Sequence, residues 1–210
     1  LFDEIEKAAP SLTRLLLAAG NLRGGRRGAV DCVEREAARI NDLITQLLDV
    51  ARAEVDPSVL DREPVELAAL LAAIVEHCRI EAEEARCRVE VRSGGAGIVY
   101  GDVELLHRAV ENVLRNAIRH APAGTAVEVT AEGDLREARV RVRDYGPGVP
   151  EPELARLFRP FYRVNGKTGC GGGMGLGLSI AQRAAALHQG SIFAVNCEPG
   201  LQILLRIPRS

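Results

Sequence analysis

Several features are absent from this 210-residue sequence, and each absence excludes a class of protein. No run approaches the roughly 18–20 apolar residues of a membrane span, and the N-terminus lacks the basic and apolar segments of a secretion signal. Neither sign of charge is in excess, since 27 basic and 29 acidic side chains give a net charge of −2. We therefore expect no general affinity for nucleic acid or for an anionic membrane.

Paired cysteines are also missing. The five cysteines are far apart and never form a CxxC motif, which argues against a structural zinc site and for a reducing compartment. The other residues have an ordinary globular balance, with 47% hydrophobic and 27% charged side chains. The sequence begins with Leu1 and not with Met, so we expect a soluble piece of a longer protein.

Two heptad-like apolar stripes occupy the first fifty residues. Apolar side chains from Ala8 to Leu22 and from Val33 to Ala51 alternate spacings of four and three residues, which is typical of helices that pack on a partner helix. The glycines of segment 20–28 end the first helix and permit an antiparallel hairpin. This hairpin predicts a homodimeric four-helix bundle, or alternatively packing of the hairpin on the rest of its own chain.

The period changes after the polar segment between Pro57 and Pro64, which predicts a helical domain at residues 1–56 and a second domain at residues 57–210. In the second domain the patterns predict helices at 65–85, 102–120 and 176–188, and strands at 86–92, 125–133, 137–146, 191–196 and 201–208. The predicted fold class is therefore α+β, with the helical hairpin followed by an α/β sandwich whose mixed or antiparallel sheet carries helices on one face.

The predicted helix 102–120 carries the first of three motifs suited to a nucleotide. Asn112, Asn116 and Arg119 lie at i, i+4 and i+7, and therefore on one helix face. Two amide oxygens and a guanidinium on one face can hold a hydrated Mg²⁺ and the phosphates that it neutralises. Taken alone this signal is weak, because amides and arginines are common on exposed helix faces.

The second motif is DYGPGVP, residues 144–150, at the end of a predicted strand. Gly146 and Gly148 allow the chain to turn sharply against a flat ligand. A buried carboxylate at Asp144 can accept a hydrogen bond from an exocyclic amine such as adenine N6.

The third motif is GGGMGLGLSIA, residues 171–181. Gly173, Gly175 and Gly177 leave backbone N–H groups accessible at the start of a predicted helix, where unpaired donors and the helix dipole favour phosphate. Neither common phosphate-loop pattern fits, because no Gly-Lys-Ser/Thr ends the run and no strand feeds directly into it. The three motifs together, in this order, are more specific than any one of them.

In this order the motifs resemble those of the sensor histidine kinases of two-component systems, whose ATP-binding domain is related to those of gyrase, Hsp90 and MutL. ENVLRNAIRHAPAG resembles the N box, DYGPGVP the first glycine box, LFRPFYR the F box and GGGMGLGLSIA the second glycine box. The resemblance covers roughly residues 60–208. It implies a homodimeric, ATP- and Mg²⁺-dependent protein histidine kinase core that passes phosphate to the receiver domain of a response regulator. It also implies the cytoplasmic portion of a bacterial inner-membrane sensor whose membrane region lies outside this sequence.

The resemblance also implies roles for individual residues. Asn112 and Asn116 would serve Mg²⁺, and Arg119 and Arg163 would contact phosphate; these four form the expected catalytic set. Asp144 would read adenine. The expected nucleotide-binding residues are Asn116, Arg119, His120, Asp144, Gly146, Gly148, Phe158, Phe161, Gly173, Met174, Gly175, Leu176, Gly177 and Leu178.

Two further expectations follow from the family comparison. Phe158 and Phe161 would anchor a polar, glycine-rich lid from about Val164 to Gly172. In the ATPases of the superfamily, the position of Asn112 holds a carboxylate that activates water. A neutral amide cannot accept that proton, so the site is suited to retain ATP for transfer.

The phosphoacceptor of the family is missing. The family's first helix carries a histidine followed by Glu, then Arg, Thr or Ser, and Pro, whereas DEIEKAAPSLTRLLL contains no histidine. Glu6 or Ile5 occupies the acceptor position, depending on the alignment, and neither forms a phosphoramidate. The four histidines, at positions 77, 107, 120 and 188, all lie in the second predicted domain. The open alternatives are a histidine kinase core, a dimeric ATP-binding interaction module without phosphotransfer, and an ATPase of the gyrase or Hsp90 kind.

Overall fold

The computed structural model describes residues 60–95, 97–164 and 175–209. All of them belong to one unit of the chain, Val50–Ser210. The predicted helical hairpin, its dimer contacts and the predicted boundary at residue 56 lie outside the described residues, as does most of the predicted lid.

The helices and strands follow the predicted order closely. The helices are α1 (Leu67–His77), α2 (Arg79–Glu84), α3 (Val103–His120), α4 (Glu151–Leu154) and α5 (Gly177–Leu187). The strands are β1 (Glu63–Glu66), β2 (Arg88–Gly94), β3 (Ile98–Gly101), β4 (Ala126–Gly133), β5 (Glu137–Arg143), β6 (Ser191–Asn196) and β7 (Leu201–Pro208). None of the helices in the described ranges is both long enough and apolar enough to cross a membrane.

A five-stranded mixed sheet in the order β2-β4-β5-β7-β6 forms one layer of the fold. β2 and β4 run parallel, and the other neighbouring strands are antiparallel. In β4, Val127, Val129 and Ala131 are buried while Glu128 and Thr130 between them remain partly exposed. This alternation places one face of the sheet against the helices and leaves the other face polar. The predicted mixed sheet with helices on one face is confirmed.

Helix α3 is the main helix of the second layer. The apolar face predicted for it is confirmed, because Leu105, Val110, Val113, Leu114 and Ile118 are all buried. The helix begins after Asp102, whose side chain caps it by accepting a hydrogen bond from the backbone N–H of Leu105 at 3.0 Å. A strong cap and a wide apolar stripe thus fix the position of α3 on the sheet.

The predicted helix at 65–85 differs from the structure in two respects. Val65 belongs to β1, which pairs with β3 so that Val65 lies opposite Val99, and both side chains are buried. The remaining segment is divided at Cys78 into α1 and α2. The helical pattern is real from Leu67 onward, but the partner strand β3 lies too far along the chain for a local period to indicate the pairing.

A buried histidine connects α5 with the start of α3. His188 is only 4% exposed, and its Nε2 accepts a hydrogen bond from the backbone N–H of Asp102 at 2.9 Å. The proton of the neutral ring therefore sits on Nδ1, which lies 2.7 Å from the carbonyl oxygen of Ala184. Gly101 permits this approach, since a Cβ there would lie 2.5 Å from the imidazole. Burial lowers the pKa of His188.

We expect His188→Ala to lower the free energy of unfolding by about 1–3 kcal/mol, because the Asp102 N–H loses its acceptor. Because the pKa of His188 is lower in the folded than in the unfolded protein, protonation favours the unfolded protein. The contribution of His188 to the free energy of unfolding is therefore fully present above about pH 6.5 and is lost as the pH falls below that value. When the pH is lowered from 7.5 to 5.5, the free energy of unfolding should therefore fall less in His188→Ala than in the unaltered protein. Urea unfolding at both pH values measures this, with the exposed His77→Ala as control. Equal effects of the two substitutions would contradict the assigned role.

Candidate functional site

The structure brings the described parts of the three predicted motifs together along the C-terminal half of α3. The loop after β5 contacts the end of α3, because a Cβ on Gly146 would lie 2.5 Å from the carbonyl oxygen of His120. The start of α5 contacts the middle of α3, because a Cβ on Gly177 would lie 2.8 Å from Oδ1 of Asn112. The loop after β5 and the start of α5, which are far apart along the sequence, therefore both pack on α3.

Asp144 is the buried acid of this region. It directly follows β5 and is 3% exposed. Its Oδ1 accepts hydrogen bonds from the backbone N–H groups of Gly146 at 2.8 Å and Leu201 at 3.4 Å. No described group donates a hydrogen bond to Oδ2. Burial raises the pKa of Asp144, and a donor from a ligand to Oδ2 would favour its ionised form.

The structure gives a different reason for glycine at each of the two positions of the first glycine box. Gly146 is buried between the carbonyl of His120 and the side chain of Asp144, and no side chain fits there. Gly148 has φ +69°, a backbone conformation that glycine adopts without strain. Backbone without side chains therefore lies beside the carboxylate of Asp144. Its contact with a flat ligand stays a prediction.

The turn between β6 and β7 supports this loop, and sequence reasoning missed it. Gly200 has φ +104°, and its Cα packs directly on the carbonyl oxygen of Asp144. The N–H of Asp144 donates to the carbonyl of Leu201 at 3.0 Å, and Asn196 bonds to Val149. The isolated sequence CEPGL indicates a turn, but nothing in it indicates which loop the turn contacts.

The predicted amide face lies on α3. The Nδ2 of Asn112 donates to the carbonyl of Arg108 at 2.9 Å, so that Oδ1 lies near the start of α5. Asn116 is partly buried one turn further along, and Arg119 is exposed at the C-terminal end. Within the described ranges, no group of three His, Cys, Asp or Glu could hold a metal ion. The groups of this face that could hold a cation are the amide oxygens of Asn112 and Asn116.

His120 experiences the charges of three predicted site residues. The protein around its ring lowers the pKa of His120 by desolvation, although much of the side chain remains exposed. The negative charge of Asp144 raises the pKa, whereas the positive charges of Arg119 and Arg163 lower it. These four residues thus share one electrostatic neighbourhood, in which cationic groups lie close to a buried anion.

The first turn of α5 presents backbone donors. Leu176 precedes the helix and is buried, as is Leu178. The helix has no side-chain cap, and its first backbone bond runs from the N–H of Ile180 to the carbonyl of Leu176 at 3.0 Å. The N–H groups before Ile180 therefore lie outside the helical ladder, where an anion can accept from them.

Two glycines of the second glycine box contact the protein itself. Gly175 has φ +79°, and a Cβ there would lie 2.7 Å from the carbonyl oxygen of Tyr162. Gly177 faces the amide of Asn112 as described above. Other parts of the protein thus approach the backbone closely at both positions, and at Gly175 the neighbour is itself backbone. The predicted contact of these glycines with phosphate stays a prediction.

The remaining predicted residues fall into two groups. Phe158 is buried in the core, whereas Phe161 is 41% exposed and has φ +61°. The two aromatic residues of the F box therefore differ in environment, and only Phe158 is anchored by packing. Gly173 and Met174 lie outside the described residues.

Comparison with known proteins agrees with this geometry. Residues 101–210 match the family described as Histidine kinase-, DNA gyrase B-, and HSP90-like ATPase. The sensor histidine kinase CpxA of Escherichia coli is 32% identical over 213 residues, which cover 99% of this chain and 46% of CpxA. The chain spans less than half the length of the first curated relatives that it matches.

Two solved structures share the fold. ShkA, determined in complex with AMPPNP, gives a TM-score of 0.74 at 24% identity and covers 97% of this chain and 44% of ShkA. ThkA, determined in complex with the response regulator protein TrrA, gives a TM-score of 0.77 at 18% identity and covers 99% of this chain and 61% of that one.

The chain therefore belongs to the family of histidine kinase-, DNA gyrase B- and HSP90-like ATPases. The curated relative reported above is a sensor histidine kinase, in agreement with the family resemblance of the sequence motifs. The resemblance stated from the sequence motifs is confirmed.

We expect the glycines of the second glycine box to differ in their tolerance of alanine. Gly175→Ala should lower the free energy of unfolding by about 1–3 kcal/mol or more, because a positive φ and a backbone oxygen both oppose the new Cβ. Gly177→Ala should change it by less than about 1 kcal/mol, because the Asn112 side chain can rotate away and alanine favours a helix. Urea unfolding without nucleotide measures both, and equal losses would contradict the contacts described.

Proposed function

We propose that this chain is the Mg-ATP-binding core of a sensor histidine kinase, which serves autophosphorylation and phosphotransfer to a response regulator in the whole protein. The observation that carries the proposal is the buried carboxylate of Asp144, whose Oδ2 has no hydrogen-bond partner among the described residues. A buried acceptor beside a glycine loop fits the exocyclic amine of adenine.

The protein's own residues supply complementary groups for each part of the nucleotide. Asp144 accepts from the adenine amine, while Gly146 and Gly148 leave room for the flat base. Bound ATP supplies the phosphoryl group to be transferred, and Mg²⁺ neutralises its charge. Asn112 and Asn116 would hold the metal through their amide oxygens, with Arg119 and Arg163 as phosphate partners.

The chemistry of Asn112 favours retention of ATP. Its amide has no basic atom, and its Nδ2 is engaged with the carbonyl of Arg108. It cannot take a proton from an attacking water molecule, so a slow background hydrolysis is expected. This supports a kinase core over an ATPase of the gyrase or Hsp90 kind.

The partners of the whole protein follow from its relatives. The structure of ThkA with the response regulator TrrA supports a receiver domain as the downstream partner. We further propose a homodimer, joined through the stripes of residues 1–56, and a cytoplasmic location beneath a membrane-bound sensor region outside this chain.

One sequence observation favours a second candidate, an ATP-binding dimeric interaction module without phosphotransfer. Residues 1–53 contain no histidine, so the predicted hairpin offers no imidazole nitrogen to phosphorylate. In that function ATP occupancy would control a partner through binding alone.

The adenine assignment is tested by Asp144→Asn. The new amide would direct N–H donors at the adenine amine, so we expect ATP affinity to fall about tenfold or more, with a smaller loss for GTP. In the unaltered protein, affinity should also fall as the pH drops through the raised pKa of Asp144, since binding requires the ionised form. Calorimetric titration with both nucleotides measures this, and Glu128→Gln is the control. Unchanged ATP affinity in Asp144→Asn would refute the assignment.

The two candidate functions are separated by ATP labelled on the γ-phosphate. We expect no stable label on the unaltered chain, and acid-labile label on Glu6→His, which restores a histidine at the position given by aligning LTRL. Ile5→His, the position given by the alternative alignment on Pro10, is tested in parallel, and acid-labile label on either variant supports the kinase core. Absence of label from both variants while ATP is demonstrably bound would favour the interaction module.

A further inference from the structure

The side chain of Asn196 makes a two-way connection to the first glycine box. It lies at the end of β6, where its Oδ1 accepts from the backbone N–H of Val149 at 2.9 Å. Its Nδ2 donates to the carbonyl of the same residue at 2.6 Å and to Oε1 of Glu151 at 3.0 Å. A side-chain amide therefore replaces the pair of backbone bonds that a neighbouring strand would provide.

The same hairpin holds the other end of the loop. The carbonyl oxygen of Leu201, at the start of β7, accepts a hydrogen bond from the backbone N–H of Asp144 at 3.0 Å, and the N–H of Leu201 donates to Oδ1 of Asp144 at 3.4 Å. Between these two attachments, Gly148 lies so close that a Cβ would be 3.0 Å from Oδ1 of Asn196. The segment 144–149 is thus fixed at its first residue by backbone and at its last by one side chain.

A side-chain substitution affects the two ends of segment 144–149 differently. The hydrogen bond from the N–H of Asp144 to the carbonyl of Leu201 joins backbone to backbone and persists in variants of either side chain. The bonds to Val149 depend entirely on the amide of Asn196, because β6 ends at this residue. Loss of that amide would leave the backbone groups of Val149 to water and would let Gly148, which has a wide range of allowed conformations, move.

We propose that Asn196 is a positioning residue of the nucleotide site, which holds the glycine loop in the conformation that receives the base. The inference rests on the proposed function, because it assigns the base to the surface formed by Asp144, Gly146 and Gly148. Asn196 does not touch the ligand; it acts through Val149 and Gly148.

The test uses the full 210-residue chain with Asn196→Ala, Asn196→Asp and the control Val195→Ala. Val195 is the adjacent residue of β6 and is 50% exposed. Without nucleotide, hydrogen exchange measured by NMR should show a faster Val149 amide in Asn196→Ala and an unchanged one in the control. With nucleotide, Asn196→Ala should weaken ATP, ADP and adenosine by a similar factor of about ten, because the common base end is affected.

Asn196→Asp gives a readout that a general loss of stability would not produce. Its carboxylate keeps the acceptor for the Val149 N–H but opposes the carbonyl of Val149 and the carboxylate of Glu151. These two acceptors disfavour the charged form and would raise the pKa of the new carboxyl above its usual value of about 3.9. Protonation restores a donor, so the affinity of this variant relative to the unaltered chain should recover as the pH is lowered from 8 to about 5.

The outcomes distinguish the two proposals. If the unaltered chain binds no adenosine nucleotide, the proposed function fails and this inference fails with it. If the unaltered chain binds and Asn196→Ala binds equally well, or if Val195→Ala weakens binding as much, only the role of Asn196 is overturned. Unchanged exchange of the Val149 amide in Asn196→Ala overturns it without reference to any nucleotide.

Discussion

The burial of one carboxylate, that of Asp144, constrains the backbone of three separate segments. A carboxylate leaves water only where hydrogen bonds replace its hydration, and Oδ1 receives these from Gly146 and Leu201. The β6–β7 turn must therefore approach β5 closely, which Gly200 permits because it has no side chain. The loop after β5 must also fold back on itself beneath the end of α3. The acid that is suited to a base thus also determines the shape of the surface around it.

The pair of α3 and α5 forms the other side of the site, and its two ends are fixed by different chemistry. At the start of α5, Gly177 lies against the amide of Asn112. At its end, His188 accepts a hydrogen bond from the backbone of Asp102 immediately before α3. The amide face and the uncapped helix start therefore keep a fixed relation to each other. Packing far from the ligand region maintains the distance between the groups proposed to hold phosphate and metal.

Local sequence patterns predicted the elements whose signals lie within one segment. The stripe of α3 and the alternation of β4 each identify a buried face, and the motifs identified Asp144, Gly146 and Gly148. The pairing of β1 with β3 and the bonds from Asn196 to Val149 were not predictable. They join residues distant along the chain, 47 positions apart for Asn196 and Val149, and depend on a register that no local period encodes. The glycines at 175 and 177 were predicted for a ligand, whereas the structure also shows a packing reason.

That packing reason changes what a glycine signature reveals when sequences in this family are compared. Gly175 is required by its own backbone angle and by the carbonyl of Tyr162, so selection for folding alone would preserve it. A descendant that no longer used a nucleotide would retain this glycine and would still match the motif. The acid at Asp144 serves both purposes, because Oδ1 holds the backbone of Gly146 and Leu201 while Oδ2 is left for a ligand. In an evolutionary comparison, replacement of Asp144 by asparagine would keep an oxygen for the loop and remove the second acceptor, and would therefore mark a lost nucleotide function. Persistence of the glycines records only that the fold survives.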